Sequence, residues 1–252
     1  MDVICELQEF YKNFKGKKGV IGFSTLNKPI YYFCIGRGQK KILATYAIHA
    51  REYITTYLAI ENIKYLEKKD LQVKVYFVPM VNPDGVEIAL YKNPLHKANS
   101  RNVDLNVNFD ADFGKGVKNL FYANSENYVG EHPFSEKETV ALRDFTLFIN
   151  PSLTLSYHSK GEEIYYYFKQ KGKNLKRDYS LAKEIKKETG YKIKKTPGST
   201  GGYKDWCIDS LKIPAFTIEV GDDRLSHPIK KEFLKDIFEK NKDVIYRLSK
   251  KI

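Results

Sequence analysis

The sequence predicts an α/β domain with a largely parallel or mixed sheet, and two observations support this expectation. Strand-like and helix-like segments alternate along the 252 residues, and no stretch is long or polar enough to act as a linker between two domains. Such alternation is typical of layered folds in which helices pack on a sheet. We therefore expect one domain over residues 1–252.

Seven segments have the composition of strands, because they are rich in Ile, Val, Tyr and Phe. The first three precede the first predicted long helix, and the others are spread over the rest of the chain. They are residues 19–24, 30–35, 42–48, 73–81, 153–157, 163–168 and 215–220.

Four segments predict helices. Residues 55–69 place Leu58, Ile63 and Leu66 among charged residues. The pattern Ser135-Glu136-Lys137-Glu138 is that of a capping box, and it predicts a helix to about residue 148. Residues 179–189 predict a helix that stops at Gly190, and residues 230–248 predict a basic terminal helix.

The composition excludes several classes of protein. With 42% hydrophobic and 29% charged residues, the chain is neither disordered nor fibrous, and it has no apolar run of the ~20 residues that a membrane span requires. The absence of a recognisable secretory signal and the three dispersed cysteines favour a cytoplasmic location. The net charge of +12 suggests either an anionic partner or simply a lysine-rich solvated surface. Few of the basic residues are arginine, so we do not expect nucleic acid; the oligomeric state stays open.

Two strand ends provide candidate metal ligands. His49 and Glu52 follow the predicted strand 42–48, and their spacing allows them to reach one ion. A catalytic zinc site uses three protein ligands and a water molecule. His158 follows the strand 153–157 and is the candidate third ligand, with a buried, hydrogen-bonded histidine as the alternative. The other histidines lie in polar loops, where we expect surface positions: His96, His132 and His227.

Three further segments are distinctive. Glu219 interrupts an otherwise apolar strand, where a carboxylate is costly to bury unless it is paired or functional. Residues 81–85, with the sequence Val-Asn-Pro-Asp-Gly, predict a turn. Residues 101–109 alternate polar and apolar side chains, which is typical of a loop whose polar groups form specific bonds.

Taken together, these motifs resemble the zinc carboxypeptidase family of the carboxypeptidase A type, over essentially the whole chain. The resemblance implies a mixed sheet of about eight strands with helices on both faces. It also implies one Zn²⁺ per chain, held by His49, Glu52 and His158, with Glu219 as general base on the zinc-bound water and then proton donor to the leaving amine. The matching motifs, in family order, are His49-x-x-Glu52, Asn82-Pro83-Asp84-Gly85, Asp104-Leu105-Asn106-x-Asn108-Phe109, Tyr157-His158-Ser159, Gly201-Gly202-x-x-Asp205-Trp206 and Thr217-x-Glu219.

The chain departs from the family pattern where the substrate's terminal carboxylate binds. Val107 stands in place of the family's carboxylate-binding arginine, whereas the neighbouring carboxylate binder, Asn106, is retained. The tyrosine that closes over substrate in digestive members would fall near Pro197, so that role is vacant or filled elsewhere.

Three cations are candidates for binding substrate. Lys97 and Arg101 are the candidates for the upstream arginine that assists the scissile carbonyl in the family. Lys204 stands where the family sets side-chain specificity, and a lysine there suits an anionic group on the leaving side. A solvent-pointing lysine is the alternative for Lys204.

Four segments resemble the bacterial γ-D-glutamyl-diaminopimelate peptidase subgroup in particular: residues 97–101, 104–109, 158–162 and 196–203. This resemblance implies hydrolysis of the bond between γ-D-glutamate and meso-diaminopimelate, with a murein peptide as the partner. One alternative is a carboxypeptidase that trims L-peptides, against which Val107 argues. Another is a basic polyanion- or wall-binding domain with an idle zinc site, against which Glu219 argues.

Overall fold

The computed structural model describes residues 2–124 and 126–252. Within them the chain forms one eight-stranded sheet, which confirms the predicted α/β class and strand number. The strands are β1 (Lys17–Phe23), β2 (Pro29–Ile35), β3 (Lys41–Tyr46), β4 (Lys74–Val78), β5 (Leu153–Ser159), β6 (Glu163–Tyr165), β7 (Lys192–Lys194) and β8 (Ala215–Val220). The helices are α1 (Val3–Asn13), α2 (Ile54–Leu66), α3 (Pro83–Tyr91), α4 (Lys137–Ile149), α5 (Gly172–Thr189), α6 (Tyr203–Asp209), α7 (Leu234–Asn241) and α8 (Val244–Ser249).

The sheet is mixed, with the strand order β1-β2-β4-β3-β5-β8-β6-β7. The four central strands β4, β3, β5 and β8 are parallel to one another, whereas β2 runs antiparallel to β4 and β6 antiparallel to β8. From β3 the chain crosses to β4 on one side, and later it enters β5 on the other side. The carboxyl ends of β3 and β5 therefore form a topological switch point, which is where open α/β sheets bind ligands.

Helices cover both faces of the sheet, as predicted. Along β3, Ile42 and Ala44 face one core, whereas Leu43 between them faces the other. The first core also contains apolar residues of α1, α2, α5, α7 and α8, and the second contains those of α4 and α6. Because β3 is buried on both sides, it is almost continuously apolar in sequence.

The helix α3 corrects the turn that was predicted at residues 81–85. The Asn82 side chain accepts a hydrogen bond from the Gly85 backbone N–H at 3.0 Å, and Pro83 occupies the first helical position. A proline is favoured there because its missing N–H would have no partner in any case. Four of the five residues that suggested a turn, residues 82–85, therefore begin a helix.

Other helix boundaries also differ from the predictions. The prediction of a capping box at Ser135 is wrong. The helix α4 begins at Lys137, and the Ser135 hydroxyl donates to the Glu136 carboxylate at 2.8 Å instead of capping the helix. The helix α5 begins before residue 179 but ends at Gly190 as predicted, with a positive φ of 75° that suits glycine. The terminal helix is divided into α7 and α8. Over the described ranges, none of the helices has the length and apolarity needed to cross a bilayer.

Candidate active site

Three buried side chains meet at the carboxyl ends of β3 and β5. His49 and Glu52 belong to a short 3₁₀ turn that follows β3, with His49 as its first flanking residue. His158 is the sixth residue of β5. Candidate ligand atoms of all three lie within 4.8 Å of one another. The structure thus brings together the three ligands predicted from the sequence.

The spacing of these atoms fits a metal ion. His49 Nδ1 lies 2.9 Å from Glu52 Oε1 and 3.1 Å from His158 Nδ1, which is itself 3.1 Å from Glu52 Oε2. Zinc–ligand bonds of about 2.0–2.1 Å in a tetrahedron separate neighbouring ligand atoms by roughly 3.3 Å. Two imidazole nitrogens that face each other cannot both carry a proton there, whereas two lone pairs and a carboxylate suit a cation. The donor set therefore fits zinc.

The remaining nitrogen of each imidazole also has a polar neighbour. His49 Nε2 lies 3.2 Å from Asp104 Oδ1, and His158 Nε2 lies 3.1 Å from Ser156 Oγ. Such outer groups fix the orientation of metal-binding histidines. Asp104 is not among the site residues predicted from the sequence, although its place two residues before Asn106 in the family motif is a signal for such a role.

Asp104 is held as an anion. Burial opposes its ionisation, but Lys97 and His49 hold the pKa of Asp104 well below its usual range. Lys97 Nζ donates to Asp104 Oδ2 at 2.7 Å, and Asp104 in turn keeps the pKa of Lys97 raised despite the burial of that ammonium. The site therefore has a fixed lysine cation close to the candidate metal ligands.

Glu219 lies beside the candidate ligands on β8. It is the register partner of His158 on β5, so the two side chains lie next to each other on one face of the sheet. Removal from bulk water raises the pKa of Glu219 to about 8, although His158 opposes the shift. A carboxyl group with a pKa near neutrality can both accept and release a proton, as a general acid–base catalyst must.

A cavity of about 530 Å³ opens beside His49. Lys97 and Asn106, two of the predicted binding residues, line it. Val107, which replaces the family's arginine, also lines it. The other side of the cavity consists of β6, the end of β7 and the loop after it, including Glu163, Tyr165, Lys194, Lys195 and Pro197.

Two predicted binding residues lie elsewhere. Arg101 is exposed and pairs with Glu131 at 2.9 Å. Lys204 is buried, and its ammonium pairs with Asp205 and donates to the Tyr167 carbonyl at 3.0 Å. Neither lines the cavity, so the structure does not bring them to the site.

The histidines outside the candidate site occupy different environments. His132 is exposed as predicted, and His227 is half-buried. The surface position predicted for His96 is wrong, because His96 is buried and its Nε2 lies 3.1 Å from the Asn99 carbonyl oxygen.

Comparison with known proteins agrees with this geometry. The family model described as zinc carboxypeptidase matches residues 4–243. The chain belongs to the zinc carboxypeptidase family. Zinc is accordingly its cofactor, and the His–Glu–His donor set provides a place for the ion.

One known protein is similar over most of the chain. The γ-D-glutamyl-L-diamino acid endopeptidase 1 of Lysinibacillus sphaericus is 32% identical over 267 aligned residues, which cover 91% of this chain. The match covers 66% of the relative, so this chain spans just under two thirds of that protein's length.

Solved structures of the zinc carboxypeptidase fold superpose on the chain. Bovine thrombin-activatable fibrinolysis inhibitor, solved with a tick carboxypeptidase inhibitor, has a TM-score of 0.84 at 22% identity, covering 98% of this chain and 93% of its own. Murein-tripeptide amidase MpaA from Escherichia coli O157 has a TM-score of 0.69 at 21% identity, covering 94% and 92%. At these identities the likeness establishes the fold.

Proposed function

We propose that this chain is a zinc metallopeptidase that hydrolyses the γ-D-glutamyl–meso-diaminopimelate bond of murein-derived peptides. The proposal depends above all on the juxtaposition of the His49–Glu52–His158 donor set with Glu219, beside a cavity in which Val107 replaces the usual arginine. The name of the Lysinibacillus sphaericus relative, a γ-D-glutamyl-L-diamino acid endopeptidase, supports the same bond.

In this proposal His49, Glu52 and His158 hold the zinc ion. When bound, zinc lowers the pKa of a water ligand and polarises the carbonyl of the scissile bond. Glu219 takes a proton from the attacking water and passes it to the leaving nitrogen. Its pKa of about 8 suits both transfers, because neither protonation state is strongly preferred near neutral pH.

Lys97 stabilises the negative charge that develops on the carbonyl oxygen. Its ammonium is fixed by Asp104 at 2.7 Å and lines the cavity beside His49, so it does not need to reorganise during the reaction. Arg101, the other candidate for this role, has its guanidinium outside the cavity.

The charge of the cavity suits an anionic leaving group. Lys118 and Lys195 line it, and no carboxylate of the described residues forms an ion pair with either ammonium. Asn106 Oδ1 accepts a hydrogen bond from the Tyr203 backbone N–H at 3.2 Å, which leaves the Asn106 amide NH₂ to donate to a carboxylate. The ammonium of Lys204 is already paired, and we leave that residue out of the proposed site.

Mass spectrometry after incubation of the zinc-loaded protein with L-Ala-γ-D-Glu-meso-diaminopimelate tests the proposal. We expect release of free diaminopimelate. A zinc-loaded protein that releases none, but removes C-terminal residues from L-peptides, would instead be a conventional carboxypeptidase. The L-peptide panel should include peptides that end in acidic residues, because the cavity lysines would favour them.

A further inference from the structure

An ion pair between Glu163 and Lys194 forms part of the cavity wall. Glu163 is at the start of β6 and Lys194 at the end of β7, and the Tyr165 hydroxyl donates to the second oxygen of the Glu163 carboxylate. Glu163 is also the register partner of Glu219 on β8. The pair therefore lies in the cavity wall next to the proposed base.

The two side chains of this ion pair differ in how tightly the protein holds them. The Glu163 side chain is 16% exposed and is held by Tyr165, whereas the Lys194 side chain is 48% exposed. A ligand can displace the lysine at little cost, since exposed ion pairs contribute little stability. The carboxylate stays in place because the tyrosine holds it.

We propose that Glu163 and Lys194 form a subsite for the free amino-acid end of the leaving residue, with Glu163 binding its ammonium and Lys194 its carboxylate. This inference rests on the proposed function and names the residues that select diaminopimelate. An amino-acid end has both charges on one carbon, so an anion next to a cation matches it. Meso-diaminopimelate has such an end at its distal centre, whereas lysine has only the ammonium.

The charges along the cavity agree with this assignment. Its described lining contains two carboxylates, Asp104 and Glu163, and Asp104 is already committed to Lys97 and His49. Glu163 is thus the acceptor for a ligand ammonium. When that ammonium displaces Lys194 from Glu163, the Lys194 ammonium pairs with the carboxylate on the same distal carbon. Lys118 and Lys195 are then available for the second carboxylate of the leaving residue, at the centre that carries the scissile nitrogen. The cavity then offers partners for the one ammonium and two carboxylates of the leaving residue.

Three tripeptides that differ only in the leaving residue test the subsite. The first ends in meso-diaminopimelate, the second in L-2-aminopimelate, which lacks the distal ammonium, and the third in L-lysine, which lacks the distal carboxylate. We expect the wild type to prefer the first. Glu163→Gln should lower kcat/KM about 10- to 100-fold for the two substrates with the ammonium, since a hydrogen bond between charged groups is lost, and spare L-2-aminopimelate.

A variant of the lysine tests the other half of the subsite, the binding of the distal carboxylate. Lys194→Gln should lower kcat/KM for the two substrates with a distal carboxylate and spare the lysine peptide. Glu162→Gln is the matched control, because this neighbouring acid pairs with Lys240 away from the cavity and should leave all three rates unchanged.

Two negative results have different meanings. An equal loss on all three substrates in Glu163→Gln would overturn the subsite, because Glu163 would then act through Glu219 or through the fold. Failure of the wild type to release diaminopimelate would overturn the proposed function itself, and the subsite with it.

Discussion

The rings of Tyr46 and Tyr157 lie face to face, with their centroids 4.7 Å apart and their planes within 2° of parallel. The two residues are register partners on β3 and β5, and both are buried. His49 follows Tyr46 by three positions, and His158 follows Tyr157 directly. The stacked rings therefore hold together the two strand ends from which the candidate metal ligands project.

The two hydroxyl groups of this pair should differ in their effect on stability. Tyr46 accepts a hydrogen bond from Asn62 at 3.2 Å, whereas the buried Tyr157 hydroxyl has no partner among the described residues. We expect Tyr46→Phe to lower the free energy of unfolding by about 1–3 kcal/mol, because it leaves the Asn62 amide unpaired. Tyr157→Phe should be neutral or stabilising. Urea unfolding of both variants measures this, and a larger loss for Tyr157→Phe would contradict it.

Removal of one proposed metal ligand should abolish zinc binding and activity together. We expect His158→Ala to lose both, because two ligands hold the ion much less tightly than three. His132→Ala is the matched control, since His132 is exposed and lies outside the site. Metal analysis after dialysis and an assay of diaminopimelate release measure the two properties. Wild-type zinc content in His158→Ala would disprove the assignment of this ligand.

Glu219→Gln should separate catalysis from metal binding. Glu219 is not part of the donor set, so we expect the variant to retain zinc. Loss of a general base typically costs about 10²- to 10⁴-fold in rate. Single-turnover rates at equal zinc content measure the effect, with Glu162→Gln as the control for loss of an acidic side chain. Unchanged turnover in Glu219→Gln would disprove the proposed role of Glu219 as general base.

The same residue predicts a pH dependence of stability in the zinc-free protein. Burial raises the pKa of Glu219 to about 8 in the folded chain, above the unfolded value of about 4.3. The folded state thus binds the proton more tightly, and the contribution of Glu219 to the free energy of unfolding falls as pH rises between these values.

Glu219→Gln cannot lose that proton. Relative to the wild type, its free energy of unfolding should therefore rise from about pH 4.3 to about pH 8 and stay constant above this range. Urea unfolding with zinc removed, at pH 5, 7 and 9, measures the difference. A difference that does not change with pH would show that Glu219 has an ordinary pKa.

The parts of the fold that the sequence predicted are those with a strong local cause. The strands β3 and β8 are apolar because helices cover them, and α5 ends at a glycine with positive φ. The start of α3 could not be predicted, because Asn-Pro-Asp-Gly favours a turn and a helix start equally. The Asn82 side-chain hydrogen bond decides between them.

Residues of the cavity were harder to predict than the metal ligands. Strand-end positions and family motifs pointed to His49 and His158, whereas the role of a lysine depends on its partner. Lys204 is neutralised by the adjacent Asp205, and Lys97 pairs with Asp104 in the site. The sequence does not distinguish Glu163 from its neighbour Glu162, and only the ion pair with Lys194 in the folded chain does so.

The facing nitrogens of His49 and His158 come from positions 109 residues apart. They meet only when β5 has docked against β3, which closes a loop made of the whole chain between the two strands. Contacts of such large sequence separation form slowly in folding, because their loop must close before they gain any energy. Zinc uptake during refolding should therefore be a late event that reports the completion of the central sheet.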